Sequence, residues 1–488
     1  MLRQLLATKS IAEIQKHEGT NQLNRALGPT ALVLLGIGGI IGTGIFVLTG
    51  TAAANHAGPA LAISFIIAGI GCALAGLCYA EFASMIPVSG SAYAYSYATL
   101  GEGVAWFIGW NLILEYLFAV ATVSVGWSGY VTSLLGQFGL HLPAAIASAP
   151  FDRGAGHFEI IATGAIINLP AVLIIAAITI ICLIGIRQSS AFNAVTVAIK
   201  VTVVVLFILL GVSFIDTANW VPFVPPATGV PGQFGWGGVM TAAGVIFFAY
   251  IGFDAISTTA QEAKNPQRDM PIGIMVSLGV CTILYVATAL VLTGMVPYPK
   301  LDVPAPVALA LDSYEQLRWL GLPVKIGAIA GMTSVMLVML LAQARIFFAM
   351  SKDGLLPKAF GRVHPKFRTP STGTIFTGVV AGIIGGLLPV RILGELVSIG
   401  TLMAFVTVCI GTLVLRITKP ELPRPFRTPA PWLTCLGGAL ICGAMMVALP
   451  KDTWLRLAAW TLVGLLVYVF YGYRNSRLRA DNAAATTV

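Results

Sequence analysis

The sequence contains little charge for its length. Lys, Arg, Asp and Glu make up 10% of its 488 residues, while 57% of the residues are hydrophobic. Soluble globular proteins carry about 25% charged residues. An ordinary water-facing surface is therefore excluded, and many apolar side chains must face lipid. The formal net charge of +9 is spread along the chain without a dense basic stripe, so nucleic acid is not an expected partner.

Signatures of metal, redox or enzyme chemistry are also missing. The seven cysteines are odd in number, fall in apolar runs and include no Cys-x-x-Cys pair, which argues against a disulfide framework or a zinc site. The five histidines fall in predicted loops or tails, and the chain contains no P-loop, His–Glu metal motif or Gly-x-Ser-x-Gly. We therefore predict that the protein is not an enzyme and uses no metal or organic cofactor.

Long apolar runs dominate what is present. A transmembrane helix needs about 20 largely apolar residues, and twelve stretches meet this requirement. They are 29–53, 59–85, 101–135, 167–186, 192–215, 239–260, 271–296, 323–350, 372–390, 393–416, 431–449 and 455–473. The third is too long for one straight span, so part of it should lie outside the membrane or at its interface.

The distribution of Lys and Arg predicts the orientation. Because the number of spans is even, both termini lie on one side of the membrane. With the termini inside, cytoplasmic segments hold 20 of the 28 basic residues and outer loops hold seven. The positive-inside rule therefore predicts cytoplasmic termini in a multi-pass protein of the inner or plasma membrane. The segment 11–27 is either an amphipathic surface helix or a disordered tail, and 480–488 reads as an unstructured end.

Two spans are interrupted at membrane depth. Span 1 carries five glycines between Gly36 and Gly44, and span 6 is interrupted by Gly252 and Asp254. Glycine is a poor helix former, and unpaired backbone groups at this depth are costly unless they line an enclosed cavity. Close helix packing through small residues is the alternative for span 1. The two breaks are five spans apart. Five is an odd number, so a repeat of five spans has the opposite orientation in the membrane from the one before it. Matching breaks in two such inverted repeats favour a transporter with its binding site near the middle of the membrane.

Paired breaks suit a zwitterionic amino acid. Half-helix N-termini offer amide hydrogens to a carboxylate, and freed carbonyls suit an ammonium. We assign the carboxylate to the amides of Gly42, Thr43 and Gly44. The ammonium is assigned to carbonyls near Ile40 and near Phe248, Ala249 and Ile251. Apolar neighbours, among them Ile40, Ile41 and Phe248, would also admit a neutral substrate side chain.

Three ionisable residues lie deep inside predicted spans, where such groups are functional hypotheses. Lys200 either changes its protonation or acts as a fixed cation on broken-helix carbonyls. Glu115 either binds a substrate cation or a proton, or makes a polar helix contact. Asp254 either lines the site or caps the second half of span 6. Glu81, Glu262 and Arg345, at cytoplasmic ends, suit structural or gating ion pairs.

These features resemble the amino acid–polyamine–organocation (APC) superfamily and, within it, the bacterial members of the cationic amino acid transporter family. The resemblance rests on four stretches distributed over most of the chain. They are Gly38–Phe46, Tyr79–Tyr93, Gly252–Arg268 and Ala344–Pro357.

The resemblance implies an all-α membrane protein with twelve transmembrane helices and a leucine-transporter-type (LeuT-type) 5+5 inverted repeat. Helices 1 and 6 would be discontinuous, and two extra C-terminal helices would follow. The expected segments are a cytoplasmic N-terminus (1–28), a first repeat (29–215), a second repeat (239–416), helices 11 and 12 (431–473) and a cytoplasmic tail (474–488). The resemblance also puts Lys200 where sodium-coupled relatives bind a cation, which implies proton coupling without sodium.

The sequence thus predicts a proton-coupled symporter that imports amino acids by alternating access. The expected substrates are cationic, such as arginine and lysine, or small and neutral, such as alanine. The expected partners are this substrate and membrane lipid. A sodium-independent exchanger, in which Lys200 only tethers span 1, is the first alternative. A sensor would need a signalling domain, and a channel would need a continuous polar pore, and neither is indicated.

Overall fold

The computed structural model describes residues 5–9, 27–86, 91–153, 160–185, 190–257, 259–367 and 369–480. Within these ranges the regular structure is helical apart from one two-stranded hairpin, which confirms the all-α prediction. The possible surface helix at 11–27 lies outside the described residues except for Leu27, and so does the predicted unstructured end except for Ala480.

Every predicted apolar stretch forms helix within a few residues of its expected bounds. The first helices are α1 (Pro29–Ile40), α2 (44–57, with π-helical turns at Gly44–Leu48 and Ala53–Ala57), α3 (Leu61–Met85), α4 (Ser91–Thr99), α5 (Glu102–Gln137), α6 (Leu169–Ile184), α7 (Ser190–Gly211) and α8 (Gly235–Ile246). They are followed by α9 (Phe253–Ser257), α10 (Pro266–Met295), α11 (Pro306–Asp312), α12 (Arg318–Lys352), α13 (Ser371–Leu387), α14 (Val390–Thr418), α15 (Pro431–Ala448) and α16 (Lys451–Val467, continued by a π-helical turn at Tyr468–Gly472).

Several helix ends follow directly from the local sequence. Proline occupies the first turn of α1, α10 and α15, where its missing N–H costs nothing. At the start of α6, the Asn168 side chain accepts a hydrogen bond from the Ala171 amide at 3.3 Å. At its end, Gly185 adopts a left-handed conformation (φ +77°) that stops the helix.

By length and composition, eight helical runs in the described part of the chain could each cross a membrane. Four further apolar helices, α1, α6, α8 with its 3₁₀ turn, and α13, have 10–17 residues. The all-helical, apolar architecture indicates a multi-pass membrane protein. The twelve-crossing topology remains a prediction, because a helix of 10–17 residues is about 15–26 Å long and does not by itself span about 30 Å of hydrocarbon.

Helix α5 is continuous over 36 residues. At 1.5 Å per residue it is about 54 Å long, so it extends beyond the hydrocarbon, as the length of this stretch suggested. The sequence scan missed α4, α11 and the hairpin of β1 (Phe151–Arg153) and β2 (Ile160–Ala162). None of these elements contains a 20-residue apolar run, so that criterion cannot detect them.

Aromatic side chains link helices that are distant in the sequence. The Tyr79 ring on α3 lies 5.6 Å from the Phe253 ring on α9 and 5.3 Å from the Phe405 ring on α14, measured between centroids. Phe253 and Phe405 are themselves 5.0 Å apart. Edge-to-face pairs of this kind add to the packing of a buried core, and here they fix the short helix α9 between two long ones.

The described N-terminal segment, 5–9, packs on α4 and on the ends of α5 and α12. The Lys9 Nζ atom lies 2.7 Å from an Asp353 carboxylate oxygen, and the Tyr93 hydroxyl donates to the other oxygen at 2.6 Å. The Glu102 amide donates to the Ala7 carbonyl at 3.0 Å. This end of the bundle, which we call the terminal end, also holds the described C-terminal segment.

Glu102 connects that C-terminal segment to the bundle. Its buried carboxylate accepts hydrogen bonds from the hydroxyls of Tyr97 (2.8 Å), Tyr468 (2.8 Å) and Ser476 (2.5 Å). Both described terminal segments therefore lie at the same end of the bundle, as an even number of membrane crossings requires.

We expect Glu102→Ala to release the C-terminal segment, because three buried hydroxyls lose their acceptor. Loss of about 1–3 kcal/mol of such interactions should speed tryptic cleavage after Arg477 and Arg479 roughly tenfold, since cleavage follows the open population. Mass spectrometry of timed digests measures this. Glu102→Gln, which keeps one acceptor oxygen, is the control. Equal cleavage of Glu102→Ala and wild type would show that Glu102 does not hold the tail.

Candidate functional site

The first helix break lies between α1 and α2. Helix α1 ends at Ile40, Ile41 is extended (φ −73°, ψ 106°), and α2 begins at Gly44 in a π-helical turn. All five sequence-predicted residues from Ile40 to Gly44, including Gly42 and Thr43, lie at this break and are buried. The glycine-rich sequence thus interrupts the helix where it was expected to.

The second break follows α8. A 3₁₀ turn runs from Phe247 to Tyr250, Ile251 is extended, and Gly252 has φ +120° before α9 begins at Phe253. This conformation is readily accessible only to glycine. The predicted residues Phe248, Ala249 and Ile251 lie here and are buried.

The two breaks pack directly against each other through glycine. A Cβ atom on Gly252 would come within 2.6 Å of the Gly39 backbone, and one on Gly44 within 2.3 Å of the Ala249 Cα atom. No side chain fits at either contact. The structure therefore brings the eight predicted break residues into one buried site formed by two interrupted helices.

Lys200 ties α7 to the broken end of α1. Its side chain is fully buried, and its Nζ atom donates to the Gly38 carbonyl at 2.6 Å and the Ile41 carbonyl at 2.9 Å. Its aliphatic part passes Gly331 on α12, where a Cβ atom would lie 3.1 Å from the Lys200 Cε atom. Carbonyls at a helix C-terminus lack intrahelical donors and attract cations. The Lys200 side chain thus contacts carbonyls of the broken helix. This is the contact expected if Lys200 acts as a fixed cation, one of its two predicted roles.

Tyr285 on α10 was missed by the sequence analysis. Its hydroxyl oxygen lies 2.9 Å from the Ile40 carbonyl oxygen and 2.8 Å from that of Ala249. A phenol carries one hydrogen and donates to one acceptor at a time. Tyr285 therefore links the two breaks through carbonyls that were assigned to a substrate ammonium. A tyrosine hydroxyl in the middle of an apolar run needs a buried hydrogen-bond partner. The position of Tyr285 in such a run was therefore the sequence feature that could have identified it.

Asp254 lies in the first turn of the short helix α9. One carboxylate oxygen accepts from the Gly252 amide at 3.2 Å, and the other accepts from the Tyr116 hydroxyl at 2.5 Å. The carboxylate lies next to the second break, and its two alternatives, capping α9 and lining the site, stay predictions. Tyr116, on α5, is a further residue that the sequence analysis did not select.

Glu115 lies beside Asp254 and has no such partners. Its side chain is fully buried near Asp254 and Thr401, and neither carboxylate oxygen has a hydrogen-bond partner among the described residues. An isolated buried carboxylate is costly. The geometry therefore suits a group that binds a proton or a cation here.

An ion pair and two backbone hydrogen bonds connect chain segments at the terminal end of the bundle. Arg345 on α12 pairs with Glu262 at 3.3 Å, and the amides of Leu27 and Lys264 donate to the Glu262 and Leu27 carbonyls at 2.9 and 2.8 Å. These contacts tie the start of α1 and the segment after α9 together and to α12. Glu81 forms separate ion pairs with Arg416 at 2.5 Å and with Arg424 at 3.3 Å.

Comparison with known proteins identifies the family of this chain. Residues 27–468 match the amino acid permease family model, and the chain belongs to that family, within the APC superfamily. It is 48% identical to the methylthioribose transporter of Bacillus subtilis, over 97% of this chain and 99% of that protein. It is 47% identical to the branched-chain amino acid permease BcaP of Bacillus subtilis, over 96% of this chain and 98% of that protein.

More distant relatives include eukaryotic transporters. The chain is 39% identical to the vacuolar cationic amino acid transporter 4 of Arabidopsis thaliana, over 83% of this chain and 66% of that protein. The predicted resemblance to the APC superfamily and its cationic amino acid transporter family is thereby confirmed.

We expect Gly252→Ala to disrupt the site. A side chain at φ +120° costs about 1–3 kcal/mol, and its Cβ atom would meet the Gly39 backbone. Amino acid uptake by the purified, reconstituted variant should fall to about a tenth or less of wild type. The matched control is Gly279→Ala on α10, where a Cβ atom meets nothing within 4 Å and helix propensity improves. If Gly252→Ala took up amino acid at the rate of the wild type, the close packing of the two breaks would be contradicted.

Proposed function

We propose that this protein is a proton-coupled amino acid symporter that imports its substrate by alternating access. The observation that carries the proposal is the Lys200 ammonium on the Gly38 and Ile41 carbonyls at the break of α1 and α2. Membership of the amino acid permease family supports the class of substrate.

The proposed topology has twelve crossings with cytoplasmic termini. Residues 29–215 and 239–416 would form two inverted repeats, with α15 and α16 outside them. The positions of the two breaks, five crossings apart, support this arrangement. The terminal end would then be cytoplasmic, in agreement with the 20-to-7 distribution of Lys and Arg.

In the proposed binding mode, the substrate carboxylate lies at the amides of Gly42, Thr43 and Gly44. The first amides of α2 have no intrahelical acceptor, and the Thr43 hydroxyl is buried without a hydrogen-bond partner among the described residues. The substrate ammonium takes the carbonyls of Ile40 and Ala249, from which the Tyr285 hydroxyl withdraws. Substrate binding would thereby exchange one link between the breaks for another.

Lys200 is the proposed coupling residue. Burial disfavours a charged ammonium, while two carbonyls favour it, so these contacts govern whether the proton stays. When the proton leaves, the hold of α7 on the end of α1 weakens, and the first half of span 1 is free to move. Because the ammonium occupies the carbonyls at the end of α1, no sodium ion is needed there.

The substrate side chain is proposed to be neutral and apolar. Val335 packs on Gly42, where a Cβ atom would lie 3.0 Å from its Cγ2 atom, and buried Met332 precedes it by three residues on α12. The Asp254 carboxylate is already engaged with Gly252 and Tyr116. The similarity to a branched-chain amino acid permease supports this choice. A cationic side chain, for which Glu115 is the remaining acid, is the rival.

We expect uptake of radiolabelled leucine into liposomes containing the purified protein when an inward pH gradient is imposed without sodium. Alanine and arginine are measured in parallel, and unlabelled methylthioribose is added as a competitor. Faster uptake of arginine than of leucine would contradict the neutral-substrate proposal. Inhibition by methylthioribose without uptake of any of the three amino acids would contradict amino acid transport itself.

We expect Lys200→Arg to abolish gradient-driven uptake while exchange of internal for external leucine continues. Arginine keeps the cation on the carbonyls but does not release its proton. Lys352→Ala, which removes an exposed lysine from the end of α12, should behave as wild type. If uptake by wild type ignores the pH gradient but requires internal amino acid, the protein is an exchanger and Lys200 is a tether.

A further inference from the structure

The connection between α12 and α13, at the terminal end of the bundle, carries positive charge without acids. Residues 354–370, which we call the basic loop, contain four Lys or Arg and no Asp or Glu. Three of the four, Lys358, Arg362 and Lys366, are exposed, and none of these three forms an ion pair with another described residue. Asp353, the acid that precedes the loop, is already held in an ion pair. The basic loop therefore presents three unpaired cations to its surroundings.

Contacts with three helices hold the basic loop in one place. The Phe360 ring stacks on the Phe347 ring of α12 with 4.8 Å between centroids, and it meets the Phe376 ring of α13 edge-on at 5.5 Å. The Thr369 hydroxyl donates to the Leu183 carbonyl, near the end of α6, at 3.0 Å. The cations are thus displayed from a packed segment of chain.

A turn around His364 places apolar side chains between these cations. The His364 Nδ1 atom accepts hydrogen bonds from the amides of Lys366 and Phe367, both at 3.3 Å. The Phe367 ring stacks on the imidazole with 4.9 Å between centroids. Phe367 and Val363 nevertheless stay 37% and 47% exposed. Apolar side chains next to Lys and Arg suit the boundary between lipid headgroups and acyl chains, where both kinds of side chain find partners.

A lipid-facing surface begins directly beside the basic loop. Four large apolar side chains on α13 are exposed: Ile375, Phe376, Val379 and Ile383. Their spacing puts them on one side of the helix, and an exposed apolar side of a helix in a multi-pass membrane protein meets acyl chains. Because α13 begins at Ser371 and Phe376 contacts Phe360 of the loop, the loop lies at the edge of the hydrocarbon. Phospholipid headgroups occupy that level of the bilayer.

We propose that the basic loop binds anionic phospholipid. Lys358, Arg362 and Lys366 contact the headgroup phosphates, and Val363 and Phe367 enter the boundary of the acyl chains. Ammonium and guanidinium groups bind phosphate through charge-assisted hydrogen bonds, and basic residues next to a membrane helix add to the attraction of an anionic leaflet. An acidic protein would pair with the cations but would not use the lipid-facing side of α13 that continues from them. The choice of the cytoplasmic leaflet rests on the proposed function, through its topology.

The first test is native mass spectrometry of the purified full-length protein in detergent, titrated with phosphatidylglycerol or with phosphatidylcholine of the same acyl chains. Wild type should bind its first phosphatidylglycerol more tightly than its first phosphatidylcholine. Combining Lys358→Gln, Arg362→Gln and Lys366→Gln should weaken the phosphatidylglycerol affinity about a hundredfold, since each basic residue near an anionic surface contributes about fivefold. Equal affinity of wild type for the two lipids would overturn the proposal.

A second triple variant is the matched control. Lys264→Gln, Arg268→Gln and Arg427→Gln remove the same number of exposed positive charges from predicted cytoplasmic segments outside the basic loop. This variant should bind phosphatidylglycerol as wild type does. If it lost as much affinity as the loop variant, net charge rather than the basic loop would govern lipid binding, and the proposal would fail.

The last test asks whether the ligand is a lipid or only an anion. Val363→Ser combined with Phe367→Ser keeps every charge of the loop and should still weaken phosphatidylglycerol binding severalfold, because apolar contact with the bilayer is lost. Soluble glycerol 3-phosphate, a headgroup without acyl chains, should not displace the lipid. Unchanged lipid affinity of this variant, or displacement by glycerol 3-phosphate, would overturn a lipid as the occupant. These measurements do not involve transport, so absence of leucine uptake by wild type would overturn the proposed function alone.

Discussion

Backbone groups that two helices release inside a buried core must all find partners, because no bulk water is present to bond them. The face-to-face contact of the breaks at α1–α2 and α8–α9 creates this requirement. Gly39 against Gly252, and Gly44 against Ala249, bring the chains so close that no side chain separates them. Other helices must then supply the missing hydrogen bonds from outside the contact, and those donors are the residues that define the site.

Two such donors come from two other helices: Lys200 on α7 donates to the Gly38 and Ile41 carbonyls, and the Tyr285 hydroxyl on α10 reaches the Ile40 and Ala249 carbonyls. Asp254, on α9 itself, accepts from the Gly252 amide, and the Tyr116 hydroxyl on α5 donates to its other oxygen. The bonds of Lys200, Tyr285 and Tyr116 join the breaks to the surrounding bundle. Under the proposed function, substrate binding or loss of the Lys200 proton removes one of these bonds, and this loosens the hold on the broken helices.

Ion pairs and buried acceptors link helices at both ends of the bundle. At the terminal end, acids are committed to internal partners: Glu102 to three hydroxyls, Glu262 to Arg345 and Asp353 to Lys9. At the opposite end, Lys325 pairs with Asp312 at 3.1 Å and Arg456 with Glu395 at 3.7 Å. Polar contacts between side chains thus hold the helices together at both ends.

The sequence by itself determined the all-helical membrane class, the approximate bounds of the apolar helices and the positions of both breaks. These are local properties: apolar run length, and glycines such as Gly42 and Gly252 that weaken helix at their own positions. It also identified Lys200, Glu115 and Asp254, because ionisable groups in apolar runs are conspicuous one at a time. Only the tertiary structure decided that Lys200 meets α1 and that Tyr285 bridges the breaks. Those contacts join residues far apart in the chain, and helix packing, which no local pattern encodes, brings them together.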